Sequence, residues 1–219
     1  MQTRKQPTQP RAGRRVAELL KAAETLFVAN GYEATTMSAI ASTAGASIGS
    51  LYQYFSNKEE LGAALLQHYV EELVARIGHW QTALPDDPHR LAADLIDQVI
   101  EQVQAQPACF ILAEVPALTA DPHRLQRLSE CVRNVLTAFA ARSPRSPGAP
   151  SEPLPSIALA TWLIVRAAVH GLRLAAPGMR KDLRDQMCAA LGDYLAARLT
   201  PGPRSDATMR RTRRTSRDR

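Results

Sequence analysis

Residues 34–61, ATTMSAIASTAGASIGSLYQYFSNKEEL, decide how this chain is read. Thr35 or Thr36 can cap a short helix through its hydroxyl. Ile40, Ala41 and Ala44 give that helix an apolar side, and Gly45 breaks it where positive φ costs glycine nothing. Ser47 then caps a second short helix carrying Ile48, Leu51, Tyr52, Tyr54 and Phe55. Asn57 caps a third, longer one, with Glu60 three residues on in a capping-box arrangement. Helix, glycine turn, helix is the geometry that lays a second helix into the major groove of DNA. Ile40, Ala44, Leu51 and Phe55 are expected to face inward. Thr36, Ser47, Ile48, Gly49, Ser50, Tyr52, Tyr54 and Lys58 are left facing out. Two outward tyrosines on so short a helix suit hydroxyl contacts to phosphate, and Lys58 adds a cation.

Upstream, Val16, Leu19, Leu20, Ala23, Leu26 and Phe27 recur at three and four residues, one apolar face of a helix. Asn30-Gly31 ends it. Downstream the helical pattern continues: a long helix from about Lys58 to Ala83, another from His89 to Ala105, and a shorter one from Ala108 to Leu118 bent at Pro116. Asp121-Pro122 starts a further helix. Ser143 to Pro155 holds five prolines and reads as a loop. Two helices close the pattern, Ser156 to Ala175 and Arg180 to Leu199. Strand alternation and repeats are not visible, so the fold is expected to be all-α. The domains are expected to be a basic arm at 1–13, a three-helix DNA-binding domain at 14–58, a larger helical domain at 59–199 and a basic tail at 200–219.

Charge agrees with a polyanionic partner. The net charge is +6, but the 219 residues do not share it evenly. Arg4, Lys5, Arg11, Arg14 and Arg15 meet no acid in residues 1–15, and the last twenty residues hold seven arginines against Asp206 and Asp218. The body between is mildly acidic. Basic ends of this kind are an electrostatic footprint for nucleic acid. The alternative is a non-specific nucleic-acid-binding protein that uses its basic tails.

Other classes find little support. The three cysteines, Cys109, Cys131 and Cys188, are far apart and lack metal-ligand or disulfide spacing. The five histidines are scattered singly, and are read as surface or structural. No nucleophile–base pair and no phosphate-binding glycine loop is readable, so neither an enzyme nor a cofactor or metal is expected. The longest apolar stretch, Ile157 to Val165, stops at Arg166, too short for a membrane span. No secretory signal is visible, and a cytoplasmic protein is expected.

The motif resembles the DNA-binding domain of the TetR/AcrR family of transcriptional regulators. The shared pattern is Thr-Thr, then Ile-Ala, then Ala-Gly-x-Ser-x-Gly-Ser-Leu-Tyr-x-Tyr-Phe, then Lys-Glu-x-Leu, over about residues 14–62. The resemblance implies that Thr36 meets phosphate, that Ser47, Ile48, Gly49 and Ser50 meet base edges, and that Tyr52, Tyr54 and Lys58 meet the backbone. Ile48 stands where many members carry a polar residue, and an apolar contact with a thymine methyl is expected there. Arg11, Arg14 and Arg15 are expected to add phosphate or minor-groove contacts. The resemblance also implies a small-molecule effector, a homodimer through the last two helices and a ligand-responsive repressor on a palindromic operator. Tyr69, Trp80, Phe110, Glu114, Trp162, Arg166 and His170 are the residues expected to line the effector pocket, an aromatic lining with a few polar groups.

Overall fold

The computed structural model describes residues 10–142 and 153–199. The expected basic tail, most of the basic arm and most of the proline-rich loop lie outside the described residues. Ten α-helices follow one another: α1 (Pro10–Asn30), α2 (Met37–Thr43), α3 (Ile48–Tyr54), α4 (Lys58–Trp80), α5 (Pro88–Ala105), α6 (Ala108–Ala113), α7 (Pro116–Thr119), α8 (Pro122–Arg142), α9 (Leu154–Leu174) and α10 (Arg180–Leu199). Among the described residues there is no strand. Helix α1 begins at Pro10, four residues before the expected boundary, so Arg11 lies on the helix and not in an arm. Proline is suited to a first turn because its missing N–H would have no partner there.

Side-chain caps set the N-terminal helices. Gly31 takes φ +80° after α1, its N–H donating to the Phe27 carbonyl at 2.9 Å. The two threonines divide the next task. Thr35 is buried, and its hydroxyl donates to the Gly31 carbonyl at 2.8 Å. Thr36 caps α2, accepting the Ala39 N–H at 3.2 Å. Gly45 turns the chain at φ +60°, and Ser47 caps α3 by accepting the Ser50 N–H at 3.1 Å. Asn57 caps α4 at 2.7 Å from the Glu60 N–H, while the Glu60 carboxylate reaches back to the Ser56 N–H, one residue earlier than a strict capping box.

Two apolar cores hold the helices. The first gathers Leu19, Phe27, Ile40, Leu51 and Phe55 from the N-terminal helices with Leu61, Leu65 and Tyr69 of α4. It also takes Ala108 and Leu112 of α6 and Leu118 of α7. The cores therefore do not divide at residue 58: α4 is shared, and α6 and α7 belong with the first. The break at Pro116 makes two short helices where one bent helix was expected, because proline disfavours helical geometry in the residue before it. The second core joins Leu73 and Ile77 of α4 with Leu95 of α5, Val135 of α8, Val165 of α9 and Leu191 of α10. Helix α9 is long and apolar enough to cross a membrane by length and composition. Eight of its residues are buried in this fold, including Ile157, Trp162 and Val169, which accounts for much of its apolar character.

Candidate DNA-binding face and ligand cavity

Helix α2 packs on α1 and α3 packs on α2, and Ile40, Ala41 and Leu51 are all nearly or fully buried. That leaves the other side of α3 to solvent. Ile48 is 43% exposed and Tyr52 47% exposed. Gly49 is exposed and Ser50 half-buried beside them. The sides of Thr36 and Ser47 engaged in capping fix where these helices begin, and the backbone N–H groups of a helix start are a natural seat for phosphate.

Two residues sit otherwise than expected. Tyr54 is partly buried and packs against the N-terminal core, so its ring is in part structural. The Lys58 ammonium donates to the carbonyls of Tyr32 at 2.8 Å and Glu33 at 3.0 Å, and lies 4.5 Å over the Tyr32 ring. It clamps the α1–α2 loop onto the start of α4, leaving one of its three N–H donors for other use. Sequence spacing gave no sign of a bond spanning 26 residues. The Tyr32 hydroxyl is pushed up to about 12, first by burial and then by Glu59 and Glu33. Arg15 pairs with Glu18 at 2.9 Å on α1, and Arg14 beside it is exposed.

A cavity of about 150 Å³ lies among α4, α5, α6, α8 and α9. Six of the seven residues singled out from the sequence line it: Tyr69, Phe110, Glu114, Trp162, Arg166 and His170. Trp80 does not. It ends α4 and packs against the second core. Leu66, Val70, Leu73, Val99, Leu128 and Val169 make most of the remaining wall apolar.

At one side of the cavity the polar groups interlock. Glu114 Oε1 lies 3.1 Å from His170 Nδ1, within hydrogen-bonding distance. The His170 ring stacks on Phe110 with centroids 5.6 Å apart, and the Arg173 guanidinium lies over the Phe110 ring, 4.0 Å from its centroid. Arg166 donates to the Ala113 carbonyl at 3.4 Å. Burial, then the nearby Glu24 carboxylate, raises the Tyr69 hydroxyl, keeping it protonated. Burial also lifts the Cys109 thiol to about 11, with Glu72 adding to it, so Cys109 lines the cavity as a neutral group.

Sequence reasoning missed Arg124 and Gln102. Both line the cavity and both are buried, Arg124 at 9% exposure. In sequence each looks like one more polar residue on an amphipathic helix, and nothing local marks it as turned inward.

Among the described residues the chain is all-helical, and its N-terminal end presents a capped helix-turn-helix, the geometry of the helix-turn-helix DNA-binding class. Residues 19–65 match the family described as "Bacterial regulatory proteins, tetR family", and that N-terminal segment is similar to the family's. It is 44% identical over 84 residues to the HTH-type transcriptional activator FasR of Mycolicibacterium smegmatis, covering 38% of each chain. It is 43% identical over 70 residues to the transcriptional repressor KstR2 of the same organism, covering 32% of this chain and 33% of the relative. The matched segment thus spans a third to two fifths of these relatives. The fold is shared more widely. The transcriptional regulator FadR of Bacillus subtilis, in complex with stearoyl-CoA, superposes with a TM-score of 0.61 at 16% identity, over 82% of this chain and 96% of that one.

Proposed function

We propose that this protein is a ligand-responsive transcriptional repressor that binds a palindromic operator as a homodimer in the cytoplasm. The observation that carries the reading is the exposed face of α3, where Ile48 and Tyr52 lie open on a helix whose start Ser47 fixes. Ser47, Ile48, Gly49 and Ser50 meet base edges; Thr36, Tyr52 and Tyr54 meet phosphate. Lys58 contributes its remaining donor, and Arg14 and Arg15 of α1 add positive charge.

A single short helix makes too few contacts for a tight, specific site, so two copies are needed. Helix α9 leaves Leu159, Leu163 and Leu174 exposed, Leu174 at 71%, and α10 presents the small exposed side chains of Ala189, Ala190 and Ala197. An apolar helix face beside a small-residue face fits a twofold packing of α9 and α10. The named repressor KstR2 supports the sign of regulation proposed here, although FasR is named an activator.

Ligand and DNA communicate through α6. Phe110 and Ala113 of α6 line the cavity, while the same helix packs on α1. A ligand that displaces α6 moves α1 and the two recognition helices it supports. It then favours one spacing of those helices over another, which is the unequal affinity that allostery requires.

The test is protection of DNA upstream of the protein's own gene, with unrelated DNA as competitor. An inverted repeat is expected, with half-sites about one helical turn apart or somewhat more. Tyr52→Ala should weaken operator binding by about 1.5–3 kcal/mol for each phosphate bond lost, with folding unchanged because Tyr52 is not in the core. Undiminished affinity in that variant would remove the proposal.

A further inference from the structure

Arg124 is the least satisfied polar group on the cavity wall. Its Nε and Nη1 are buried without a hydrogen bond. Asp121 Oδ2 lies 3.4 Å from Nε, an ion pair without hydrogen-bond alignment, and the other Asp121 oxygen already accepts the His123 N–H at 2.9 Å. Asp121 therefore balances part of the charge and leaves most of the fork unused. A guanidinium carries five donors, and desolvating them without acceptors is costly. Gln102, on the facing α5, has its Oε1 buried and unbonded in the same cavity.

The other ionisable groups do not supply what Arg124 lacks. Glu114 is engaged by His170, and Arg166 is a second cation on the wall. Around these groups the lining is largely apolar, and Trp162, Leu125 and Leu128 share the cavity with Arg124. A void of about 150 Å³ is the size that holds a benzene molecule in an engineered apolar cavity.

We infer that the ligand of this cavity is a small carboxylic acid with an apolar body about the size of a phenyl ring, its carboxylate held by Arg124. This rests on the regulatory reading above and gives its effector a chemistry. A carboxylate matches the planar guanidinium fork, two N–H donors to two oxygens, and delivers one negative charge where the wall carries an underpaired positive one. The ring fills the apolar part.

The experiment is calorimetric titration of the full-length protein with 3-phenylpropionate and with its neutral analogue 3-phenyl-1-propanol, with octanoate and stearate in parallel. The acid is expected to bind about 10- to 100-fold more tightly than the alcohol, the range for hydrogen bonds to a charged group. Arg124→Gln should erase that preference, and Arg124→Lys should keep only part of it, since an ammonium retains the charge and loses the fork. The acid–alcohol comparison on the unaltered protein stands even if a variant fails to fold. Equal binding of acid and alcohol overturns the inference, as does a preference that survives Arg124→Gln, or binding confined to stearate. Operator affinity is measured with and without the acid. Arg124-dependent binding that leaves operator affinity unchanged upholds the site's chemistry and overturns the regulatory reading instead.

Discussion

The helix-turn-helix and the cavity are built by different means. In the N-terminal unit, Thr36, Ser47 and Asn57 each accept an N–H three residues ahead, at 3.2, 3.1 and 2.7 Å. The helix starts are written into the residues beside them. Around the cavity, α6, α7 and α9 begin without any side-chain cap. Their positions come from packing and from bonds that span the chain, such as Glu114 to His170 across 56 residues. Local signals fix one region; around the cavity they reach α4 and α5, capped by Asn57 and Asp87, and the assembled tertiary structure places α6, α7 and α9. Substitutions at equivalent residue types should therefore have unequal effects in the two regions.

Glycine offers the sharpest comparison. Gly192 on α10 is buried, and a Cβ there would lie 2.8 Å from the Cα of His89 on α5. The obstacle is backbone, so neither helix can yield by a rotamer change. In Gly192→Ala the helix-propensity gain of about 1 kcal/mol is opposed by overpacking of about 1–3 kcal/mol or more. We expect net destabilisation of about 1–2 kcal/mol in urea unfolding, toward the upper end because the clash is with backbone. α10 packs more extensively on α5 than any other two helices pack, so the strain has no easy outlet. Unchanged stability would show that the α5–α10 contact is slack, and would break the contrast.

Gly45 lies in open space, with nothing within 4 Å of a built Cβ, but at φ +60°. Gly45→Ala meets no neighbour. Its cost is the left-handed backbone alone, about 1–2 kcal/mol, and should appear in the stability of the N-terminal unit. A loss well above that would mean that the turn is held by tertiary contacts after all.

These two glycines also mark what could be read from sequence. Gly45 is legible because Ala44 before it and Ser47 after it end one helix and cap the next. Gly192 sits inside a helical pattern, and nothing near it in sequence points to His89, 103 residues away. The same divide holds at the sites. Ile48 and Tyr52 could be placed on the outer face by counting around a short helix. Lys58 could not be seen to turn inward, because its partners are the carbonyls of a loop about 25 residues earlier. Aromatic residues with a few polar groups among them pointed to six cavity positions. Trp80 failed on the same reasoning, because at the last turn of α4 it meets the second core and not the cavity. Arg124 and Gln102 went unread because burial of a polar side chain is a property of the assembled helices.

The smallest expected effect probes the α5–α10 contact from its polar edge. His89 Nε2 lies 2.8 Å from Asp193 Oδ1, and Asp87 stands 3.7 Å from the other ring nitrogen. The hydrogen bond to Asp193 raises the His89 pKa above its ordinary 6.5; partial desolvation opposes the rise and Asp87 supports it. A raised folded-state pKa means that the protonated imidazole stabilises the fold. That stability is fully present below the ordinary value and is lost as pH rises through the folded one. The pair is open to solvent, so the change is a shallow fall in melting temperature from about pH 6 upward. Asp193→Asn should flatten that slope while leaving the alkaline melting temperature unchanged. A slope that persists in Asp193→Asn would assign it to other groups. His89 would then be left as packing against Gly192, and the contact between α5 and α10 would be one of shape alone.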